Sequence, residues 1–212
     1  MVNKRNSKIK LIIIDYYGVM TKGSYKETCQ WLEKKYKKKY GYTYKYLYDI
    51  VYYKWFCSAA IRKITERESF EGPIKDLGLN ETWKELRTKH LSFQKANKPV
   101  LNLCRELQKQ GYAIFLLSKN TPWQFNYAFT KTHMRWYFKH YLNTYDLGYA
   151  KDSPKTIRYI LKRFKVKPHE VVMVDDQDFN LVEPEKIGVK TILYKNFHDF
   201  KKKLLNILFK NN

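Results

Sequence analysis

The sequence lacks any apolar run approaching the roughly eighteen uninterrupted residues that a membrane-spanning helix needs, which argues against a membrane-spanning chain. Near the N-terminus the basic stretch MVNKRNSKIK leads only into Leu11 to Ile14 before Asp15 interrupts, which is shorter than the apolar core of a signal peptide. A cytoplasmic location is the expectation that follows. Cysteine is also scarce. Cys29, Cys57 and Cys104 are odd in number, far apart and without C-x-x-C spacing, so they suggest neither a disulfide framework nor a structural zinc site, and they read as buried thiols. His90, His133, His140, His169 and His198 show no ligand spacing and read as structural or surface groups.

Acidic residues are few: 20 Asp and Glu stand against 42 Lys and Arg, for a formal charge of +22. Such a field attracts nucleic acids, anionic lipids or phosphorylated metabolites without choosing among them. The excess is mostly Lys, alongside many Tyr, Asn and Ile, so drift toward residues with A/T-rich codons explains it equally well. A hydrophobic content of 44% with 17% aromatics excludes wholesale disorder, and 212 residues hold one sizeable core plus a small inserted subdomain.

The segment KIKLIII over residues 8 to 14 is short, apolar and rich in β-branched residues, which predicts a buried parallel strand with Asp15 at its C-terminal end. The form recurs at Tyr112 to Leu117 ending on Ser118, at Val171 to Val174 ending on Asp175, and at Thr191 to Tyr194. Helical patterns precede these strands. In Val100 to Gln110, residues Val100, Leu101, Leu103, Cys104 and Leu107 share a stripe and Gly111 is a stop; in Pro154 to Phe164, Ile157, Ile160, Leu161 and Phe164 recur at helical spacing. This alternation predicts an α/β fold with a doubly wound parallel-sheet (Rossmann-like) core, whose sites lie beyond the carboxyl ends of the strands. A short amphipathic helix is expected over residues 201 to 212.

Roughly eighty residues between the first strand and the Val100 helix show helical periodicity and no strand, too many for a loop, and read as an inserted helical cap. The expected division is a core of residues 1–22 and 96–212 with a cap of residues 23–95. Its run KKYKKKYGYTYKYLYDIVYYKWF interleaves cations with aromatics, as a single-stranded nucleic-acid surface would. An amphipathic helix pair with inward Tyr rings and snorkelling Lys is the favoured reading, because Leu47, Ile50, Val51 and Trp55 continue the apolar stripe. Thr65 and Glu68 have capping-box spacing.

Four signals at strand ends suggest one site. Asp15-Tyr16-Tyr17-Gly18 sets a carboxylate before a Gly that permits a tight turn. Ser118, with Lys119 and Asn120, offers a hydroxyl and backbone N–H groups to a phosphoryl oxygen. Lys151 precedes a helix and neutralises anions, and Asp175-Asp176 with Asn180 forms a hard oxygen cluster of the kind that binds Mg²⁺. Each alone has an ordinary explanation as an N-cap, a turn former or a common Lys.

In their joint order these motifs resemble the haloacid dehalogenase-like (HAD) superfamily, helical-cap subgroup. The segments VLNLCRELQKQGYAIFLLSKN, GYAKDSPKTIRYIL and VVMVDDQDFNLVEPEKIGVKTILY carry the likeness, which covers nearly all of residues 8 to 196 and is loose around IRKITERESFEGPIKDLGL. The resemblance implies that Asp15 is a nucleophile that becomes an aspartyl-phosphate and that Ser118 and Lys151 bind the phosphoryl group. It further implies that Mg²⁺ is held by Asp15, the main-chain carbonyl of Tyr17 and Asp176, with Asp175 and Asn180 supporting the metal shell. In the family's phosphatases the residue two after the nucleophile is usually an acid–base Asp; here it is Tyr17, a poor base near neutral pH. The family's 2-haloacid dehalogenases carry Asp-x-Tyr-Gly, yet work without metal and typically lack the acidic pair. The leading expectation is a Mg²⁺-dependent phosphatase for a small phosphorylated metabolite, slowed by Tyr17. The alternatives are an impaired HAD-like domain that binds nucleic acid or another polyanion, and a 2-haloacid dehalogenase.

Overall fold

The computed structural model describes residues 8–23 and 25–209. The basic residues 1–7 and the last three of the helix expected over 201–212 lie outside the described residues.

The KIKLIII segment forms strand β1 (Leu11–Asp15), buried along its whole length. A two-residue strand β2 (Thr21–Lys22) follows, then helices α1 (Tyr25–Tyr40) and α2 (Tyr44–Tyr48), a π-helical stretch Asp49–Phe56, and helices α3 (Cys57–Ala60), α4 (Glu68–Leu77) and α5 (Trp83–Ser92). Strand β3 (Lys95–Ala96) returns the chain antiparallel to β2, closing the helical unit at its two ends. Gly23 sits where the chain leaves β2; its φ of +85° suits glycine, and a Cβ there would collide with the Phe93 carbonyl oxygen.

Helix α6 (Lys98–Lys109), strand β4 (Ala113–Ser118), helices α7 (Pro122–Lys131) and α8 (Met134–Tyr137), and strand β5 (Tyr141–Asn143) come next. Helices α9 (Thr144–Leu147) and α10 (Pro154–Phe164), strand β6 (Val171–Asp175), helix α11 (Phe179–Lys186), strand β7 (Lys190–Leu193) and helix α12 (Phe197–Phe209) complete the order. The five long-range strands pair in parallel as β5-β4-β1-β6-β7. This is the doubly wound sheet that the alternating pattern predicts. The two-residue period of a strand divides its side chains between two layers. Ile12, Ile14, Ile114, Leu116, Val172 and Val174 pack with α6, α7 and α12 residues such as Val100, Phe129 and Phe200. Leu11, Ile13, Phe115, Leu117, Val171 and Met173 pack on the other face with Ile157, Ile160 and Leu181 of α10 and α11.

Strand β5 escapes the sequence pattern because three residues are too few to show a period. The helical unit has a third core of its own, built on Cys29, Leu32, Leu47, Val51, Phe56, Phe70 and Leu86. Tyr25, Tyr36 and Tyr52 are buried in it, as the inward-ring reading expects, while Tyr40, Tyr46 and Tyr53 remain exposed. The run is not a simple helix pair, because over Asp49–Phe56 the winding widens until the Cys57 N–H bonds to the Tyr52 carbonyl. Tyr44, Tyr48, Tyr52 and Phe56 stack along it, with ring centroids 5.6, 4.7 and 5.4 Å apart. Thr65 and Glu68 bond reciprocally, and Thr82 and Glu85 form a second box that starts α5.

Candidate active site

Parallel neighbours place the carboxyl ends of β1, β4 and β6 side by side: Asp15 is level with Leu117, Ile14 with Val174, and Ser118 with Asn143. Beyond Asp15 the chain turns sharply, with Met20 N–H bonding to the Asp15 carbonyl at 3.1 Å and Thr21 N–H to the Tyr16 carbonyl at 2.9 Å. Gly18 takes φ +93° in this turn, and a Cβ on it would fall 2.5 Å from Asp176 Oδ2. Glycine there is what admits the Asp176 carboxylate.

Lys151 enters from the loop before α10. That loop is fixed where Thr156 Oγ1 and the Ser153 N–H both donate to the Ala150 carbonyl, at 2.8 and 3.1 Å. The Lys151 Nζ lies 2.5 Å from Asp15 Oδ1 and 2.6 Å from Asp175 Oδ2. All three side chains are buried, Asp175 completely. The other oxygen of Asp175 accepts the Gln177 N–H and Asn180 Nδ2, each at 3.0 Å, so Asp175 is engaged on both sides by protein. Asp176, half-buried, meets Lys26 Nζ at 3.0 Å from α1.

These contacts set the electrostatics. Burial raises the Asp15 pKa well above the carboxylate range and the Asp175 charge adds to it, with Lys151 opposing. For Lys151 burial alone would lower the pKa, but Asp15 and Asp175 outweigh it and the ammonium is held. Carboxylate oxygens of Asp15, Asp175 and Asp176 lie within 4.8 Å of one another. Three carboxylates meet two ammonium partners, Lys151 and Lys26. The set carries an excess of negative charge on hard oxygens and fits a divalent cation such as Mg²⁺.

Tyr17 lines the cavity, and its hydroxyl donates to the Gln124 carbonyl at 3.4 Å while its ring stands edge-on to Tyr16. Burial, then the neighbouring Tyr16 hydroxyl, pushes its pKa well above the ordinary phenol value, which favours the protonated phenol. Ser118 is fully buried and its hydroxyl has no partner among the described residues, though it is not among the residues lining the cavity. Lys119 and Asn120 do line it. The Asn120 N–H is taken up by Asn143 Oδ1 at 3.0 Å, which removes one of the backbone donors expected for an oxyanion.

The cavity has about 40 Å³ open to the centres of water-sized molecules, which suits a small substrate and excludes a bulky one. Its far wall comes from the helical unit: Tyr25, Lys26, Tyr48, Tyr52 and Phe56. Sequence reasoning misses these residues and Gln177. The four-residue spacing of Tyr48, Tyr52 and Phe56 marks one helical face, but nothing in the pattern says which face meets Asp15. None of the histidines lines the cavity; His90 is buried in the helical unit, where its Nδ1 meets Thr28 Oγ1 at 2.9 Å. Cys29 and Cys104 are buried thiols, whereas Cys57 is half-buried. Among the described residues no helix is long and apolar enough to cross a membrane.

The sequence pattern of the hydrolases described as haloacid dehalogenase-like matches residues 9–181. Bifunctional epoxide hydrolase 2 of Sus scrofa is 27% identical over 154 residues, 70% of this chain and 27% of its own length. The chain spans about a quarter of the length of the epoxide hydrolases it matches. D-ribitol-5-phosphate phosphatase of Bacteroides thetaiotaomicron is 28% identical over 150 residues, 66% of this chain and 72% of that protein. Among solved structures, a HAD family enzyme of Bacteroides thetaiotaomicron in complex with magnesium and inorganic phosphate superposes with a TM-score of 0.69 at 20% identity, covering 88% of this chain and 94% of that one. A dehalogenase superposes at 0.70 with 16% identity, covering 97% and 99%. At these identities the structural likenesses speak to fold.

Proposed function

The chain belongs to the haloacid dehalogenase-like hydrolases, and from that premise we propose that it is a Mg²⁺-dependent phosphatase acting on a small phosphorylated metabolite. The observation that carries this reading is the cluster of Asp15, Asp175, Asp176 and buried Lys151 at the strand ends. A haloacid dehalogenase has no need of three converging carboxylates. D-ribitol-5-phosphate phosphatase and the magnesium- and phosphate-bound neighbour support the same choice.

Asp15 and Asp176, with the Tyr17 carbonyl, would hold the ion; Asp175 and Asn180 orient its surroundings and Lys151. A divalent ion there offsets the repulsion between Asp15 and an anionic phosphoryl group. The Asp15 carboxylate attacks phosphorus and the alcohol oxygen leaves, giving an aspartyl-phosphate that water then hydrolyses. Lys151 stays protonated between the two carboxylates and turns its charge to the transferring group. Ser118 Oγ, buried behind the cavity wall, would donate to a phosphoryl oxygen only once that wall opens toward it. Tyr17 does not replace the missing acid–base carboxylate, so alcohols that leave as strong bases depart slowly. The helices of residues 23–95 act as a cap over the core of residues 1–22 and 96–212, supported by the five helical-unit residues in the cavity wall.

The test is phosphate release from a panel of phosphate monoesters with Mg²⁺ and with a chelator. Release that needs Mg²⁺ is expected. Release undiminished by the chelator, or none from any monoester, contradicts the reading.

A further inference from the structure

Among the described residues three lysines face the cavity, and two of them are matched to carboxylates: Lys151 to Asp15 and Asp175, and Lys26 to Asp176. Lys119 is different. Among the described residues it forms no ion pair with a carboxylate, although it is half-buried and its Nζ is confined. The ammonium lies 3.8 Å from Cys57 Sγ and 5.3 and 5.5 Å from the ring centroids of Tyr52 and Phe179. A thiol and two ring faces favour a cation weakly and leave most of its hydrogen-bonding capacity unused. Two of these three neighbours, Tyr52 and Cys57, belong to the helical unit, so the charge stands where that unit meets the cavity. That is where the leaving half of a substrate would sit once its phosphoryl group is at Asp15.

Resting on the phosphatase reading, we propose that Lys119 forms a second anion subsite and that the preferred substrate is a short phosphorylated acid, with a carboxylate or second phosphate on the leaving group. The small cavity limits the spacer between the two anions to a few atoms. Tyr48, Tyr52 and Phe56 complete an apolar wall that shields this charge from water and strengthens its pull on an anion.

The experiment compares 3-phosphoglycerate with glycerol 3-phosphate, which share length and phosphoryl group and differ in the carboxylate. Affinity is read on the full chain with Mg²⁺ as an initial-rate KM, or by calorimetry if neither compound is hydrolysed. A charge-assisted contact of this kind predicts roughly 10- to 100-fold tighter binding of the acid. Lys119→Met should raise KM roughly 10- to 100-fold more for 3-phosphoglycerate than for glycerol 3-phosphate, and Lys119→Arg should keep most of the parent's preference. Equal affinities in the parent chain overturn the proposal, as does a Lys119→Met loss that is the same for both compounds, which would assign Lys119 to the phosphoryl group itself. Failure of the underlying reading looks different: no monoester releases phosphate, yet the calorimetric preference still decides whether the second subsite exists.

Discussion

The carboxyl ends of β1 and β6 and the Lys/Tyr surface of the helical unit are both crowded with charge, and they treat it in opposite ways. At the strand ends Lys151 is enclosed by Asp15 and Asp175, and the other oxygen of Asp175 is fixed in turn by the Gln177 N–H and Asn180 Nδ2. Along α1 and the π-helical stretch exposed lysines lie over rings, as Lys39 does over Tyr40, and the pairs that Lys35 makes with Glu81 and Lys54 with Asp76 leave their ammonium groups half in water. Tyr42 donates its hydroxyl to the Leu77 carbonyl, and its ring packs between Tyr40 and Tyr46. Exposed pairs contribute little to stability, whereas buried ones are costly to break. The +22 formal charge is therefore a poor guide to function, and the few charges that cannot reach water are a good one.

The contrast is broken most severely at Lys151. Lys151→Met strands two buried carboxylates without a cation, and urea unfolding without Mg²⁺ should show a loss of about 3–5 kcal/mol. A loss below 1 kcal/mol would mean that the carboxylates are protonated or hydrated in the native state. Tyr17→Asp sharpens the contrast by adding a carboxylate where an acid–base group acts. On alkyl phosphates it should recover a sizeable part of the roughly 10²- to 10⁴-fold that such a group contributes, with less gain on nitrophenyl phosphate, whose leaving group needs no proton. A folded variant with no gain would show that the site lacks more than this one part.

His90 provides the smaller test inside the helical unit. Burial holds its ring neutral and pushes its pKa down to about 3 from an ordinary 6.5. Between these values the unfolded chain carries a proton that the folded one does not. Stability is then full above pH 6.5 and falls as pH drops through that window, by about 2 kcal/mol at pH 5. His90→Gln should flatten this acid limb in denaturant melts at pH 7 and pH 5; an unchanged slope would place the acid sensitivity elsewhere.

These residues also show what a sequence discloses. Strands β1, β4 and β6 are continuous apolar runs that stop at a polar residue, and a parallel sheet brings such stops together, so Asp15, Ser118 and Asp175 are legible as one group from the pattern of runs and stops. Lys151 is marked by the helix that follows it. The far wall is not legible in this way, because helical periodicity tells which face is buried but not against what. Lys26 is one among 42 basic residues until the fold sets it at the cavity, whereas Lys119 is marked in the sequence by its place after Ser118 and only its neighbours in the helical unit are hidden. The widened turn at Asp49–Phe56 is hidden for a related reason: its residues keep the four-residue ring stacking of an α-helix while the backbone winds differently.

The most direct test of Asp15 as the phosphoryl-accepting group is the rate of Mg²⁺-dependent phosphate release by Asp15→Asn, measured beside its melting temperature. The substitution keeps the shape, removes the attacking charge and leaves Lys151 paired with Asp175. Because the native surroundings raise the Asp15 pKa, its ionised form is disfavoured by the fold at neutral pH, and losing that charge should leave the melting temperature without Mg²⁺ unchanged or higher. The account predicts a folded protein whose phosphate release is abolished. A folded Asp15→Asn protein that releases phosphate at the parent's rate would contradict it.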